Sequence, residues 1–123
     1  MIKGIGNDIV EIERIANALQ SQKQHFLDKI FTFDEQAYCL RYRDPTPQLA
    51  GRFCAKEAIS KALGVGICSQ LDWLDLSIIN DDKGKPHVIV SPKAQAIFNS
   101  PNILLSISHC RNYATAMAIW LSD

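Results

Sequence analysis

The sequence has no excess of charge of either sign. Thirteen Lys and Arg stand against thirteen Asp and Glu in 123 residues, a formal net charge of zero. A dedicated nucleic-acid binder usually carries a basic excess, so no nucleic-acid partner is expected. No apolar run approaches the ~18 residues of a membrane-spanning helix, so no membrane partner is expected. Met1 to Asp8 lack the charged-then-apolar pattern of an export signal. Cysteine pairs are missing too. Cys39, Cys54, Cys68 and Cys110 form no C-x-x-C, and only Cys110 adjoins a histidine, His109. Zinc sites need ligands in close pairs. The four therefore read as reduced, mostly buried thiols of a cytoplasmic protein. Repeats, low-complexity tracts and linkers are absent, and the prolines cluster only at Asp44-Pro45-Thr46-Pro47, so residues 1–123 read as one domain. What remains is ordinary globular composition, 47% hydrophobic and 21% charged, which excludes disorder.

Ile2 to Ile12 reads as a strand, with Gly4 and Gly6 marking close backbone approach. Alternation puts Asp8, Val10 and Ile12 on its core side. A helical segment from Glu13 to Ile30 follows, interrupted near Gln20 to Gln24. Thr32-Phe33-Asp34-Glu35 is a capping box opening a helix to about Arg41. Pro47 suits a first helical turn and Gly64 a stop, which predicts a long helix from Gln48 to Leu63. Trp73 to Ile79 and His87 to Val90 alternate as a hairpin about a polar turn at residues 80–85. Ser91-Pro92 caps a short helix over Lys93 to Asn99. Ile103 to Ser108 and Tyr113 to Leu121 form a second hairpin. The last strand is apolar on both faces, which predicts a central strand covered on both sides. Helices first and strands later, with one strand at the start, is an α+β order.

The chemistry concentrates on the long helix. With Glu57 at zero on the helical wheel, Ala50, Phe53, Ser60 and Lys61 fall within about 60° of it. The rest is apolar or small, so Glu57 and Lys61 sit on a buried helix with little solvated face. The spacing also fits a plain i,i+4 surface ion pair. Asp8 faces the core side, where a carboxylate needs a cation, a metal or hydrogen-bond donors; it also fits a strand-end aspartate capping a turn. Together Asp8 and Glu57 supply two oxygen ligands for a hard cation such as magnesium, which typically takes one or two carboxylates plus phosphates and water. Lys61 adds a point charge for the same phosphates. Ser106-Ile107-Ser108-His109 ends a strand, either as a binding edge or as a polar run into a turn.

These segments carry a resemblance. Gly4-Ile5-Gly6-Asn7-Asp8-Ile9-Val10-Glu11-Ile12 resembles the opening of the short bacterial 4'-phosphopantetheinyl transferases, the holo-acyl-carrier-protein synthases. Residues 50–62, with Phe53, Lys56, Glu57 and Lys61, are similar to that family's F-x-x-K-E-[AS]-x-x-K helix. Gly84-Lys85-Pro86 resembles its hairpin turn and Ser106-Ile107-Ser108-His109 its S-x-S-H strand end. The four occur in family order and span nearly the whole chain.

The resemblance implies the family's single-domain α+β fold, an antiparallel sheet packed against a long buried helix. It implies transfer of 4'-phosphopantetheine from coenzyme A to a serine of apo acyl carrier protein in fatty acid biosynthesis, with adenosine 3',5'-bisphosphate released. Mg2+ would be held by Asp8 and Glu57, with Lys61 catalytic beside them. Lys56, Ser60, Lys61, Ser106, Ser108 and His109 would bind coenzyme A, and the loop from Arg41 to Pro47, with Arg43, is a further candidate for its 3'-phosphate. The acidic carrier would dock on Arg14, Phe26 and Lys29, with Lys23 and His25 nearby, although Gln20, Gln22 and Gln24 replace arginines common there. The family's short members form trimers with sites at subunit interfaces, which agrees with a helix apolar all round. The general base stays open between a metal-bound water and a nearby carboxylate. Two rivals make different predictions: a non-catalytic α+β binding module needs neither magnesium nor coenzyme A, and a phosphohydrolase using the same carboxylates needs no protein acceptor.

Overall fold

The computed structural model describes residues 1–122; Asp123, the end of the expected domain, lies outside them. The chain opens with strand β1 (Ile2–Glu11) and passes into α1 (Ile12–Gln22) and α2 (Gln24–Ile30). The break between the helices is Lys23, whose φ of 53° lies in the left-handed region. It falls inside the predicted interruption. Helix α3 (Phe33–Cys39) starts with the predicted capping box: Glu35 N–H donates to Thr32 Oγ1 at 3.3 Å and Thr32 N–H to Glu35 Oε1 at 2.8 Å. Helix α4 (Thr46–Leu63) carries Pro in its first turn and ends at Gly64, whose φ of 78° only glycine adopts freely.

The second half begins differently from the expectation. Trp73–Asp75 is a 3-10 turn, and only Leu76–Asn80 forms strand β2. The reason is the Asp75 carboxylate, which accepts Asp72 N–H at 2.8 Å and Ser91 Oγ at 2.7 Å and so closes the backbone. Strand β3 (Pro86–Val90) completes the hairpin. Helix α5 (Pro92–Phe98) is capped by Ser91, and strands β4 (Asn102–His109) and β5 (Tyr113–Leu121) end the fold.

Strands β1, β5 and β4 form one antiparallel sheet in the order β1-β5-β4, and β2 pairs with β3 in a second. Helix α4 lies on the first sheet. A Cβ on Gly4 would stand 2.0 Å from the Ala62 carbonyl oxygen, and one on Gly6 would stand 2.1 Å from that of Ala58. Glycine is required at both positions because helix and strand backbones nearly touch. Ala114, Ala116 and Ala118 on β5 keep the rest of that contact shallow.

Two expectations about the core are corrected. One protomer is enough to bury α4: β1, β5 and β4 cover one side, and α1, α3 and β2 the other. Strand β5 is central as predicted, but only its helix-facing side is covered. Ile5, Ile9, Leu104, Tyr113 and Met117 leave the opposite face of the sheet apolar and exposed. The unpartnered apolar surface thus belongs to the sheet and not to the helix.

Candidate active site

The strand twist and the helix rise bring Asp8, Glu57 and Lys61 together. Asp8 sits on the helix-facing side of β1, in one cross-strand row with Ala116 and Ile107. Its side chain is 17% exposed. The Lys61 ammonium, 52% exposed, donates to Asp8 Oδ1 at 3.2 Å and to the Asn7 carbonyl at 3.0 Å. Glu57 lies one turn before Lys61 on α4. Burial pushes its carboxyl above the usual range, the Asp8 charge pushes it further, and Lys61 partly offsets both. Two carboxylates that repel one another from a strand and a helix fit a hard divalent cation. Among the described residues no three His, Cys, Asp or Glu side chains gather as a complete metal site. Asp8 and Glu57 are the carboxylates that could hold such a cation there. Beneath them Cys54 donates to the Ala114 carbonyl at 3.3 Å, and burial, with Asp8 next, pushes its thiol up to about 12. It is an inert packing group.

Three expected site residues are placed otherwise. Lys56 is wholly buried with Glu35, both 0% exposed, and faces away from the cluster. Its ammonium donates to Glu35 Oε1 at 2.6 Å, to the Ile30 carbonyl at 2.6 Å and to the Trp73 carbonyl at 3.1 Å. Burial lowers its pKa, and the Glu35 charge opposes that. The physical reason for the divergence is that adjacent helical residues point about 100° apart, and here Lys56 points into the buried network of Glu35, Ile30 and Trp73. Ser60 is also enclosed, with its hydroxyl donating to the Glu57 carbonyl at 2.7 Å. Phe26 is 5% exposed and packs edge-to-face on Phe31 at 5.8 Å, so it is core and not a surface anchor. Arg14, Lys23, His25, Lys29 and Arg43 are exposed.

Ser106 and Ser108 occupy the opposite face of the sheet from Asp8, in rows with Asn7 and Ile9. His109 lies in the row of Val10, exposed at the strand end. Within one protomer Ser106 and Ser108 therefore stand back to back with the Asp8–Glu57 cluster, while His109, by register, lies on the cluster's side of the sheet.

Two residues are not legible as functional groups from the sequence. Glu35 shows there only as a helix cap, although it anchors Lys56. Arg52 is buried on α4, its guanidinium stacked 4.4 Å over the Tyr38 ring. It donates to Asn80 Oδ1 and to the Gln48 carbonyl, its Nε has no partner, and it has no carboxylate counter-charge among the described residues. A lone arginine in a run of small and apolar residues is the one available signal.

The profile of the 4'-phosphopantetheinyl transferase superfamily matches residues 4–118. A holo-[acyl-carrier-protein] synthase of Protochlamydia amoebophila is 53% identical over 122 residues, which is 99% of this chain and 100% of the relative. The crystal structure of holo-[acyl-carrier-protein] synthase from Neisseria meningitidis superposes with a TM-score of 0.92 at 31% identity, over 99% of this chain and 100% of that one. A Bacillus anthracis holo-(acyl-carrier-protein) synthase in complex with CoA (3',5'-ADP) gives 0.87 at 38% identity, over 100% and 99%. The chain belongs to the 4'-phosphopantetheinyl transferase superfamily and, within it, to the holo-[acyl-carrier-protein] synthases.

Proposed function

We propose that this protein transfers 4'-phosphopantetheine from coenzyme A to a serine hydroxyl of apo acyl carrier protein, as a single transferase domain over residues 1–123 supplying fatty acid biosynthesis. The observation that carries the reading is the Asp8–Lys61 contact beside a raised Glu57 carboxyl in a chain of this family. In the reaction the serine oxygen forms a bond to phosphorus. The bond from that phosphorus to the bridging pyrophosphate oxygen breaks, adenosine 3',5'-bisphosphate leaves, and one proton is released.

Asp8 and Glu57 would hold Mg2+, which supplies Lewis-acid neutralisation of the pyrophosphate. Lys61, half exposed and tethered to Asp8, offers a fixed positive charge to the same phosphate oxygens. Arg52, without a counter-charge, suits a further phosphate of the nucleotide, and the exposed Arg43 lies on the loop before the same helix. Arg14 and Lys29 present exposed cations for an acidic carrier.

The enzyme works as a homotrimer in this reading. Two observations support it: the apolar outer face of the sheet, and Ser106 and Ser108 on that face, where they serve the Asp8–Glu57 cluster only of another copy. Sedimentation equilibrium at micromolar concentration is expected to give three times the chain mass. The unpaired Cys39, Cys54, Cys68 and Cys110 support the reading of a cytoplasmic location. No helix among the described residues is long and apolar enough to cross a membrane. The decisive experiment is mass spectrometry of apo acyl carrier protein after incubation with coenzyme A and Mg2+. A gain of one phosphopantetheine is expected, and an unmodified carrier would overturn the reading.

A further inference from the structure

The buried Lys56–Glu35 pair takes no part in the cluster, yet it is bonded to four other parts of the chain. Lys56 has three N–H donors, and all are used: the Ile30 carbonyl ends α2, Glu35 opens α3, and the Trp73 carbonyl belongs to the 3-10 turn. Glu35 spends its second oxygen on the Ile78 N–H of β2 at 2.8 Å, and its first also accepts Thr32 N–H. The sequence neighbours matter. Lys56 directly precedes Glu57, and Ile30 directly follows Lys29. One hydrogen bond of 2.6 Å therefore joins the helix that presents Lys29 to the helix that presents Glu57, each at the adjacent residue.

A buried ion pair is weak grounds for stability, because apolar side chains of the same volume often replace it at no cost. Apolar side chains cannot bond the Ile30 and Trp73 carbonyls, however, and so cannot set how far α2 advances along α4. The pair is suited to geometry.

We propose that Lys56 and Glu35 are positioning residues for the carrier-protein substrate, holding the α1–α2 docking surface in register with the Asp8–Glu57–Lys61 cluster. The inference rests on the reading of Arg14 and Lys29 as that surface. Neither residue touches a substrate.

The test is steady-state kinetics with apo acyl carrier protein and coenzyme A both varied, on the Glu35→Gln/Lys56→Met double variant, with thermal unfolding alongside. The double variant leaves no unpaired buried charge, so its unfolding midpoint should fall less than that of Lys56→Met alone, the freed Ile30 and Trp73 carbonyls keeping it below the parent's. The KM for carrier should rise about tenfold, the scale of coupling within one hydrogen-bonded network, while the KM for coenzyme A stays within about twofold. A folded double variant with the parent's carrier KM overturns the proposal, as does an equal rise in both constants. Glu35→Gln alone, which keeps the side-chain shape, is the second reading: a rise of about threefold in carrier KM is expected, and no rise overturns it. Arg14→Glu in the otherwise unchanged protein separates the two levels. If it leaves carrier KM unaltered, the docking surface has been placed wrongly; if it raises carrier KM and the Lys56 variants do not, only the positioning role fails.

Discussion

Helix α4 holds two lysine–carboxylate contacts five residues apart, and they differ in almost every physical respect. Lys56–Glu35 is fully buried at 2.6 Å, with every lysine donor engaged. Lys61–Asp8 is half open at 3.2 Å, with a second carboxylate pressing on it. The first has nothing left to offer a ligand. The second has spare lone pairs, a spare donor and an unfavourable repulsion that a cation relieves. The same residue types make a girder at one place and an open cluster, the proposed binding site, at the other, and burial separates the two.

The largest expected effect is on the open contact. Asp8→Ala and Glu57→Ala should each cut transfer by at least about a thousandfold, as loss of a principal electrostatic element does. The fold should survive, since each removes an anion from a repelling pair. Normal turnover at saturating Mg2+ in either variant would break the contrast.

Stability should show the reverse ranking. Lys56→Met alone leaves Glu35 charged and buried, at a cost of about 3–5 kcal/mol by urea unfolding. Lys61→Met removes a solvated pair and should cost less than about 1 kcal/mol while abolishing transfer. Equal costs would mean that burial is not what separates them.

Docking comes next. Arg14→Glu should raise carrier KM about tenfold at low salt and less as salt screens the surface, with the coenzyme A constant unchanged. The smallest effect is a pH signature of the open contact. Glu57 is raised by burial and by Asp8, so its protonated form is favoured in the folded chain. Its contribution to stability is fully present below the ordinary glutamate pKa and is lost as pH rises through the raised value. With chelator present, Glu57→Gln should therefore unfold a few degrees above the parent at pH 7. The gap should close as pH falls toward the ordinary glutamate range, which thermal scans at several pH values would detect.

Much of this is legible in the order of the amino acids. Gly4 and Gly6 announce the close approach of β1 to α4, Thr32 and Glu35 the start of α3, and Gly64 the end of α4. Strand alternation turns Asp8 to the core side and helical spacing sets Glu57 beside Lys61, but that the two segments meet is what the family resemblance implies, not what spacing shows. Other features stay hidden because local pattern does not report them. The Asp75 side chain overrides strand alternation at Trp73–Asp75 through bonds to Ser91 sixteen residues away. Phe26 has the look of a surface anchor because its own helix gives no sign that Phe31 covers it.

The α+β order, the apolar character of α4 and the residue types of the candidate site are readable along the chain, because periodicity and turn chemistry are local. That one protomer buries α4, and that the exposed apolar face belongs to the sheet, depends on how the elements pack. Packing alone turned Lys56 inward and Lys61 outward, and left Arg52 buried without a counter-charge. Those outcomes depend on which distant groups arrive to satisfy or desolvate a side chain, and such long-range electrostatics are not written in the spacing of neighbours along the chain.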